Sequence, residues 1–314
     1  MAREHTRLAI IPRVLGQSAL ERIGNTPLLR FERITRDLDA QALAKAEWVN
    51  PGGSVKDRAA VNIVAEAIRT GKLVAGKTLL DSTSGNTGIA YAMLGAAQGF
   101  AVTLCLPSNV SPERKRMLRA YGAEMIFTDP GEGSDGAIRK ARELAAAEPD
   151  KYFYADQYSN DANWRAHYYT TATEIWRQTE GRITHFVAML GTSGTFMGAA
   201  RRLKELNPKI LCISLQPDSP FHGIEGAKHM PTSIVPRIYD PGFADCNLGI
   251  STEEAYGMMK RMAREEGLLV GISAGAAMAG CLRMADGAGP EAVIVTVFPD
   301  AADKYLSERF WDEF

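Results

Sequence analysis

The chain has few of the features that mark metal-binding, membrane or nucleic-acid-binding proteins. Its 314 residues include four cysteines and five histidines, and neither type is spaced like metal ligands, so a zinc site is not expected. The scattered cysteines predict reduced thiols, and residues 1–15 lack a signal-peptide core, so we expect a cytoplasmic protein. No apolar run reaches the roughly 18–20 residues of a membrane span. The formal net charge of −1 gives no reason to expect nucleic acid or a membrane as a partner.

The chain does contain a regular alternation of short β-rich runs and longer helical patterns. Strands are predicted at residues 42–47, 78–81, 101–106, 124–127, 152–154, 185–190, 211–215 and 292–298. Helices are predicted at residues 55–69, 87–98, 112–120, 135–147, 161–178, 195–206, 252–266 and 274–284. The alternation predicts an α/β fold whose sheets are mainly parallel, twisted and covered by helices. Residues 217–243, which contain five prolines, are predicted to form an irregular functional loop.

The segment Asn-Pro-Gly-Gly-Ser-Val-Lys-Asp-Arg at residues 50–58 places a lysine at an unusual point. Its Pro-Gly-Gly run predicts a turn, and Ser54 can cap the helix that follows. Lys56 then lies in the first helical turn, where the helix dipole disfavours a cation by roughly 0.3–1 kcal/mol. A lysine held there is biased toward the neutral amine, the form that attacks carbonyl groups and accepts protons. Taken alone, the segment is equally compatible with a solvated surface lysine.

Three turns rich in small and hydroxyl residues each follow a predicted strand or precede a predicted helix. Residues 82–88 read Ser-Thr-Ser-Gly-Asn-Thr-Gly, and residues 191–195 read Gly-Thr-Ser-Gly-Thr. Because helix N-termini and hydroxyls both favour anions, the first turn suits a carboxylate or phosphate and the second a monophosphate. Residues 271–277 read Gly-Ile-Ser-Ala-Gly-Ala-Ala, where Ser273 could meet a ring nitrogen of a flat ligand. Each turn by itself is also compatible with a plain helix cap or close strand–helix packing.

These four segments together suit one cofactor and one class of substrate. A helix-start lysine, a monophosphate turn, a carboxylate receptor and a lone hydroxyl match pyridoxal 5′-phosphate and an amino acid. In this interpretation Lys56 forms a Schiff base with the cofactor and the phosphate anchors it.

At these residues the chain resembles the pyridoxal-phosphate enzymes of the tryptophan-synthase-β superfamily, known as fold type II. More narrowly it resembles cysteine synthase, or O-acetylserine sulfhydrylase, and most of all the B isozyme. Further matching motifs are Ile-Gly-Asn-Thr-Pro-Leu at 23–28, Tyr-Gly-Ala-Glu at 121–124, Asp-Gln-Tyr-Ser-Asn at 156–160, Gly-Arg-Ile-Thr-His-Phe-Val at 181–187 and Tyr-Leu-Ser at 305–307. The resemblance therefore extends over nearly the whole chain.

The resemblance implies roles for individual residues. Lys56 would hold the cofactor and later act as acid and base, Asn86 would hydrogen-bond the cofactor's 3′-oxygen, and Ser273 would face the pyridine nitrogen. The cofactor phosphate would be bound by Gly191, Thr192, Ser193, Gly194 and Thr195. The α-carboxylate of the substrate would be bound by Thr83, Ser84, Thr87 and Gln157.

The resemblance also implies the reaction and the organisation of the protein. The reaction would be β-replacement, making L-cysteine from O-acetyl-L-serine and sulfide through an α-aminoacrylate intermediate. A hydroxyl at Ser273, rather than a carboxylate, favours elimination and replacement over transamination. Two α/β domains, residues 1–160 and 161–314, would hold the cofactor between them, with roughly the first 35 residues packed on the second domain. Part of the first domain would close on the substrate, and the protein would be a homodimer; some relatives bind serine acetyltransferase, which nothing in this sequence supports.

The chain departs from the family pattern at three places. Ala-Thr-Glu at 172–174 replaces the usual Gly-Pro-Glu, Trp-Val at 48–49 is unexpectedly bulky, and residues 221–230 match the family's active-site loop only in part. These differences leave open whether the leaving group is acetate, phosphate or hydroxyl, and which nucleophile is preferred. An O-phosphoserine substrate would call for an extra cation, for which Lys228 and His222 are candidates. Asp300, near the expected cofactor edge, is interpreted as structural.

Two further alternatives remain at this point. One is a cystathionine β-synthase that uses serine and homocysteine. The other is a non-catalytic protein that keeps the fold for regulatory binding. The presence of Lys56 argues against this second alternative.

Overall fold

The computed structural model describes residues 16–83 and 85–312. Its strands are β1 (Leu28–Arg30), β2 (Gln41–Ala46), β3 (Thr78–Ser82), β4 (Val102–Pro107), β5 (Glu124–Thr128), β6 (Tyr152–Tyr154), β7 (His185–Met189), β8 (Leu211–Pro217), β9 (Cys246–Ile250) and β10 (Val293–Phe298). Its helices are α1 (Lys56–Arg69), α2 (Asn86–Gln98), α3 (Pro112–Ala120), α4 (Gly133–Ala147), α5 (Asp161–Ala166), α6 (Ala172–Gln178), α7 (Gly194–Leu206), α8 (Thr252–Glu266) and α9 (Ile272–Ala285). Residues 218–245 form the irregular connection that the prolines predicted.

The strands form two sheets. One has six strands in the order β1-β2-β10-β7-β8-β9, and the other has four strands in the order β5-β4-β3-β6. The β1–β2 pair is antiparallel, whereas the remaining pairs in both sheets are parallel. Parallel neighbours need crossover connections, and the alternating helices supply them. The predicted α/β class with mainly parallel sheets is therefore confirmed.

Central strands of both sheets are covered on both faces. Every residue of β10 and of β4 is buried, which explains the continuous apolar run of β10 that the sequence displays. Helix α9 packs over β10, β7 and β2, and helix α4 packs over the four-stranded sheet. Helix α9 is itself mostly apolar because it lies between the six-stranded sheet and helix α8.

The structure differs from the sequence prediction at three elements. Strands β1 and β9 were not predicted, because both are short, lie at the two edges of the six-stranded sheet and carry exposed residues that break the apolar pattern. The single helix predicted at 161–178 is interrupted by one π-helical turn at His167–Thr171. This turn buries His167 and places its Nε2 3.3 Å from Thr195 Oγ1 at the start of α7.

The topology brings four chain segments to one place. Strands β2, β10 and β7 are parallel neighbours, so their carboxyl ends lie at the same edge of the six-stranded sheet. Strand β2 leads toward Lys56, strand β7 leads into residues 191–195, and strand β10 leads into Asp300. The carboxyl end of β3, in the other sheet, leads into helix α2 and faces this edge, since Asn86 at the start of α2 contacts Asp300. Open parallel sheets bind ligands at such carboxyl ends.

Candidate active site

A cavity lies where the carboxyl ends of the two sheets meet. Most of the predicted site residues line it: Lys56, Thr83, Asn86, Thr87, Gln157, Gly191, Thr192, Thr195 and Ser273. Ser193 and Gly194 belong to the same turn as their neighbours but are not among the residues of the wall. Ser84 lies outside the described residues. The tertiary structure thus brings together residues that the sequence distributes over five separate segments.

Lys56 lies in the first turn of α1, as predicted, although the helix begins at Lys56 and not at Val55. The prediction that Ser54 caps this helix is wrong, because Val55 is the residue that directly precedes it; Ser54 Oγ instead accepts a hydrogen bond from the backbone N–H of Lys56 at 3.2 Å. The Lys56 side chain is half-buried, and its Nζ makes no hydrogen bond with the described residues. Burial lowers the pKa of the Lys56 amine, and the carboxylate of Asp300 opposes this shift. The amine is therefore biased toward its neutral, nucleophilic form.

The turn at 191–195 approaches neighbouring backbone and side chains very closely. A Cβ atom on Gly191 would lie 2.2 Å from the carbonyl oxygen of Gly226, and one on Gly194 would lie 2.0 Å from Asn163 Oδ1. Ser193 has a φ of +67°, and its buried hydroxyl lacks a hydrogen-bond partner within residues 16–83 and 85–312. An unsatisfied buried hydroxyl beside a helix N-terminus is the arrangement that a bound phosphate would complete.

His167 contacts this turn, and no sequence motif indicated it. Its Nδ1 lies 3.0 Å from Thr171 Oγ1, and its Nε2 lies next to the Thr195 hydroxyl. Burial lowers the pKa of His167 well below its usual range, and the nearby charges of Arg58 and Lys56 add to this effect. The ring is therefore neutral, and the anion affinity of the turn depends on its N–H groups and hydroxyls.

Ser273 is the second residue of α9, and Gly271 precedes that helix. Ser273 is therefore not the helix cap that the alternative interpretation required. It is buried, lines the cavity and makes no side-chain hydrogen bond to the part of the chain that the structure describes. Gly275 serves helix packing rather than ligand contact, since a Cβ there would lie 2.4 Å from the carbonyl oxygen of Ala255 in α8.

The side-chain amide of Asn86 is held at both ends. Its Nδ2 donates to Asp300 Oδ2 at 2.7 Å, and its Oδ1 accepts from Lys304 Nζ at 3.0 Å. Tyr305 donates its hydroxyl to the same Asp300 oxygen at 2.7 Å. The second N–H of the Asn86 amide keeps a fixed direction as a result.

The predicted carboxylate receptor is a connected group of donors at the start of α2. Thr87 Oγ1 donates to Gln157 Oε1 at 2.7 Å, and Gln157 Nε2 donates to the carbonyl oxygen of Ser82 at 2.7 Å. Thr83 Oγ1 accepts from the N–H groups of Gly85 at 3.1 Å and Gly88 at 3.2 Å. Because Thr83 uses its oxygen as an acceptor, its own hydroxyl proton remains to be donated to an anion.

Arg114 and Glu225 lie in the cavity wall although no motif in the sequence indicated them, and Lys228, which the sequence suggested as a candidate cation, lies there too. Arg114, from α3, forms an ion pair with Glu225 of the irregular connection. Lys228, from the same connection, pairs with Asp135 of α4 at 2.8 Å. Arg114 lies in a strongly charged helix whose sequence is typical of a surface helix. Only the structure, in which Arg114 is buried, shows that this residue belongs to the cavity wall.

The described residues also bear on metal binding, membrane insertion and disulfide bonding. Within residues 16–83 and 85–312, no group of three or more histidine, cysteine or acidic side chains could hold a metal ion. In the same ranges, no helix combines the length and the apolar character that crossing a bilayer demands. The thiols of Cys105, Cys212 and Cys281 are free and buried, whereas Cys246, also free, is exposed at the sheet edge.

A protein-family model described as "Pyridoxal-phosphate dependent enzyme" matches residues 19–300. The chain belongs to this family. The pyridoxal-phosphate dependent enzyme is 50% identical over 303 residues to a protein named cysteine synthase from Aquifex aeolicus (strain VF5), covering 95% of this chain and 93% of the relative. It is 42% identical over 297 residues to cysteine synthase B of Escherichia coli (strain K12), covering 94% and 97%.

The fold agrees with these sequence matches. The crystal structure of cysteine synthase (OASS) from Entamoeba histolytica superposes on this pyridoxal-phosphate dependent enzyme with a TM-score of 0.89 and 35% identity, covering 98% of this chain and 94% of that one. The resemblance to cysteine synthases and the fold type II architecture are thereby confirmed.

The residues of the cavity fit pyridoxal 5′-phosphate, the cofactor of this family. The turn at 191–195 lines the cavity through Gly191, Thr192 and Thr195, and its close backbone approach at Gly191 and unsatisfied Ser193 hydroxyl suit the phosphate. The amine of Lys56 lies in the same cavity with a lowered pKa, which suits covalent attachment to an aldehyde. The hydroxyl of Ser273 is available to a ring nitrogen on another wall.

Proposed function

We propose that this enzyme catalyses a β-replacement that makes L-cysteine from O-acetyl-L-serine and sulfide. In the balanced reaction the acetate group leaves the β-carbon and the sulfur of sulfide takes its place. The observation that carries the proposal is the single cavity in which the Lys56 amine, the turn at 191–195, Ser273 and the Thr83–Thr87–Gln157 donors all meet. The relatives named cysteine synthase, similar over nearly the whole chain, support the same reaction.

We propose that Lys56, Asn86, the turn at 191–195 and Ser273 hold the cofactor. When bound, pyridoxal 5′-phosphate withdraws electrons from the α-carbon of an attached amino acid, which makes its α-proton acidic. Gly191, Thr192, Ser193, Gly194 and Thr195 would bind the phosphate through N–H groups and hydroxyls. Asn86 would present its fixed amide N–H to the 3′-oxygen, and Ser273 its hydroxyl to the ring nitrogen.

We propose that the substrate's α-carboxylate is bound by Thr83, Ser84, Thr87 and Gln157. The bonds from Thr87 Oγ1 to Gln157 Oε1 and from Gln157 Nε2 to the carbonyl oxygen of Ser82 fix the Gln157 amide before a substrate arrives, and its second N–H remains to be donated. Preorganised donors lose little entropy when the carboxylate binds. Arg114, Glu225 and Lys228 line the same cavity.

Lys56 would also transfer the protons of the reaction. With a substrate bound in the cavity, the Lys56 amine would be the base that faces its α-carbon. Its lowered pKa keeps a usable fraction of the amine unprotonated, so it can remove the α-proton as a base. The Asp300 carboxylate favours the ammonium that results, because a nearby negative charge stabilises it.

The charges in the wall favour acetate over phosphate as the leaving group. Lys228 lines the cavity, but it is already paired with Asp135 at 2.8 Å. His222 does not line the cavity, and burial lowers its pKa, so it supplies no positive charge there. The two candidates for a phosphate-binding cation therefore give little support to O-phosphoserine.

We further propose that the enzyme is a cytoplasmic homodimer with domains at residues 1–160 and 161–314 and the cofactor between them. The four free cysteines support a reducing compartment. The presence of β1, which lies within the first 35 residues, in the six-stranded sheet supports the packing of those residues on the second domain. Part of the first domain would close on the substrate and exclude water. Light scattering coupled to size-exclusion chromatography would test the dimer.

The reaction is tested on purified enzyme loaded with pyridoxal 5′-phosphate. Cysteine formation from sulfide is measured with O-acetyl-L-serine and with O-phospho-L-serine, and cystathionine formation is measured with L-serine and homocysteine. We expect the highest kcat/KM with O-acetyl-L-serine and sulfide. A clear preference for the phosphate ester or for cystathionine formation would replace the proposed reaction. Protein without the visible absorbance of bound cofactor would indicate a non-catalytic binding protein.

A further inference from the structure

The cavity wall next to the turn at 82–88 contains an ion pair between two segments that are far apart in the chain. The Arg114 guanidinium comes from α3, beside the four-stranded sheet, and pairs with the Glu225 carboxylate in the irregular connection after β8. The Arg114 side chain is only 4% exposed, whereas the Glu225 side chain is 36% exposed. The arginine is therefore deep in the wall and the glutamate lies nearer to solvent.

The position of Arg114 is fixed by its neighbours. Its Cζ lies 4.9 Å from the ring centroid of Tyr305, a cation–π distance. A Cβ atom on Gly85 would lie 2.9 Å from the same Cζ, so the guanidinium packs directly on the turn at 82–88. A positive charge is thus built into the cavity beside the site proposed for the substrate's carboxylate.

Arg114 and Lys228 are the buried basic residues of this wall outside the proposed cofactor site, and each forms an ion pair with an acidic residue. Glu225 faces Arg114, and Asp135 faces Lys228, so the two pairs together add no net charge. The acid partners differ in setting, because Asp135 also accepts a hydrogen bond from the backbone of Ile234 at 2.8 Å, whereas Glu225 is itself part of the cavity wall. Glu225 is therefore the acid that a bound substrate's side chain would meet.

We propose that Glu225 is a specificity-determining residue, which cancels the charge of Arg114 and so restricts the reaction to uncharged ester leaving groups. This inference rests on the proposed function and names the class of leaving group at that site. A phosphate ester would bring two negative charges toward the Glu225 carboxylate, and the repulsion would raise the energy of both binding and reaction. An acetyl ester carries no charge, so the Arg114–Glu225 ion pair has little effect on its binding or reaction.

The inference is tested with Glu225→Gln, which keeps the shape of the side chain and removes its charge. The measured quantity is kcat/KM for O-phospho-L-serine divided by kcat/KM for O-acetyl-L-serine, both with sulfide. Because both esters carry the same α-carboxylate, any effect on that group cancels in the ratio. We expect the ratio to rise about tenfold, which corresponds to about 1.4 kcal/mol. The rise should shrink as salt is added, because Glu225 is partly exposed to solvent.

Two comparison variants make the result specific. Glu143→Gln removes the same charge from an exposed pair with Lys140 and should leave the ratio unchanged. The double variant Arg114→Gln/Glu225→Gln should return the ratio to the wild-type value, since it removes one positive and one negative charge together. Far-ultraviolet circular dichroism and cofactor absorbance confirm that each variant is folded and loaded.

Three outcomes would overturn the inference: an unchanged ratio in folded Glu225→Gln, an equal rise in Glu143→Gln, or a rise that persists in the double variant. The proposed function fails separately, if the wild-type enzyme makes no cysteine from O-acetyl-L-serine. A wild-type enzyme that is active with an unaltered Glu225→Gln ratio would contradict only the role of Glu225.

Discussion

Asn86 and Asp300 are joined by a 2.7 Å hydrogen bond although 214 residues separate them in the chain. Asn86 begins α2 beside the four-stranded sheet, and Asp300 follows β10 of the six-stranded sheet. Asp300 is wholly buried and also contributes to the electrostatic environment of Lys56. The Asp300 carboxylate therefore orients the Asn86 amide and raises the pKa of the Lys56 amine. The sequence had suggested only a structural role for Asp300, and these two contacts support a role in the proposed site as well.

The first prediction concerns Asp300→Asn. Replacing a charged acceptor with a neutral one weakens the hydrogen bond to Asn86, and we expect the dissociation constant of pyridoxal 5′-phosphate to rise by up to about tenfold. Loss of the negative charge should also lower the pKa of Lys56 further, because Asp300 raises it in the wild type. The pH profile for covalent attachment of the cofactor to apoenzyme should then move to lower pH, since the neutral amine is the reactive form.

Titration of apoenzyme by absorbance and stopped-flow attachment rates across pH measure both effects. Asp303→Asn, which removes an exposed carboxylate from the same segment, should change neither quantity. A profile that moves to higher pH in Asp300→Asn would contradict the assigned interaction.

The second prediction concerns Lys56→Ala. Alanine is well tolerated at the start of a helix, so α1 should remain intact while the amine is lost. We expect turnover to fall by roughly 10³-fold or more, because the same group attaches the cofactor and transfers the proton. Mass spectrometry after borohydride treatment should detect covalently attached cofactor in the wild type and in Lys72→Ala, an exposed control, but not in Lys56→Ala. Attachment at another lysine would refute the assignment.

The third prediction compares two glycine-to-alanine changes. At Gly191 an added Cβ would lie 2.2 Å from a backbone oxygen, so the turn must shift and cofactor affinity should fall at least about tenfold. At Gly257, within α8, an added Cβ would meet nothing within 4 Å. Gly257→Ala should therefore leave cofactor binding unchanged and stabilise the helix by about 0.5–1 kcal/mol. Equal cofactor affinities in the two variants would argue against a phosphate site at Gly191.

The fourth prediction concerns Glu174, whose carboxylate accepts from Arg58 Nη1 at 2.7 Å and is 2.6 Å from Lys45 Nζ. Burial by itself would raise the pKa of Glu174, but the hydrogen bonds and charges of Arg58 and Lys45 lower it from 4.5 to about 2. A lowered carboxylate pKa contributes stability that is present above the unfolded value near 4.5 and is lost as the pH falls toward 2. We expect Glu174→Gln to lower the free energy of unfolding at pH 7 by about 3 kcal/mol.

Urea denaturation at several pH values checks the sign of this effect. The difference between the wild type and Glu174→Gln should narrow as the pH falls from 4.5 toward 2. Glu143→Gln, at an exposed ion pair, should be close to the wild type throughout. A difference that grows on acidification would mean that Glu174 is not stabilised as a carboxylate in the folded protein.

Much of the fold and of the site could be predicted because the signals were local. Strand β10 is apolar at every position because both of its faces are covered, and β1 and β9 were missed because edge strands lack that pattern. The start of α1 at Lys56 follows from the preceding Pro-Gly-Gly turn, which leaves the chain little choice of where a helix can begin. The charged partners of the cavity wall could not be predicted, since Arg114 and Glu225 lie 111 residues apart and each resembles a surface residue in sequence.

The sequence by itself determined which residues are proposed to carry the chemistry: the lysine at a helix start, the turn at 191–195 and the hydroxyl donors near α2. Glycine, proline and hydroxyl residues set the backbone within a few positions of themselves, so these features are readable without a fold. Only the tertiary structure decided how the charges combine. It lowers the pKa of Lys56 by burial, sets Asp300 against Asn86 and covers Arg114 with Glu225. Burial and pairing depend on segments that meet only when the two sheets pack, because the residues involved lie far apart in the chain.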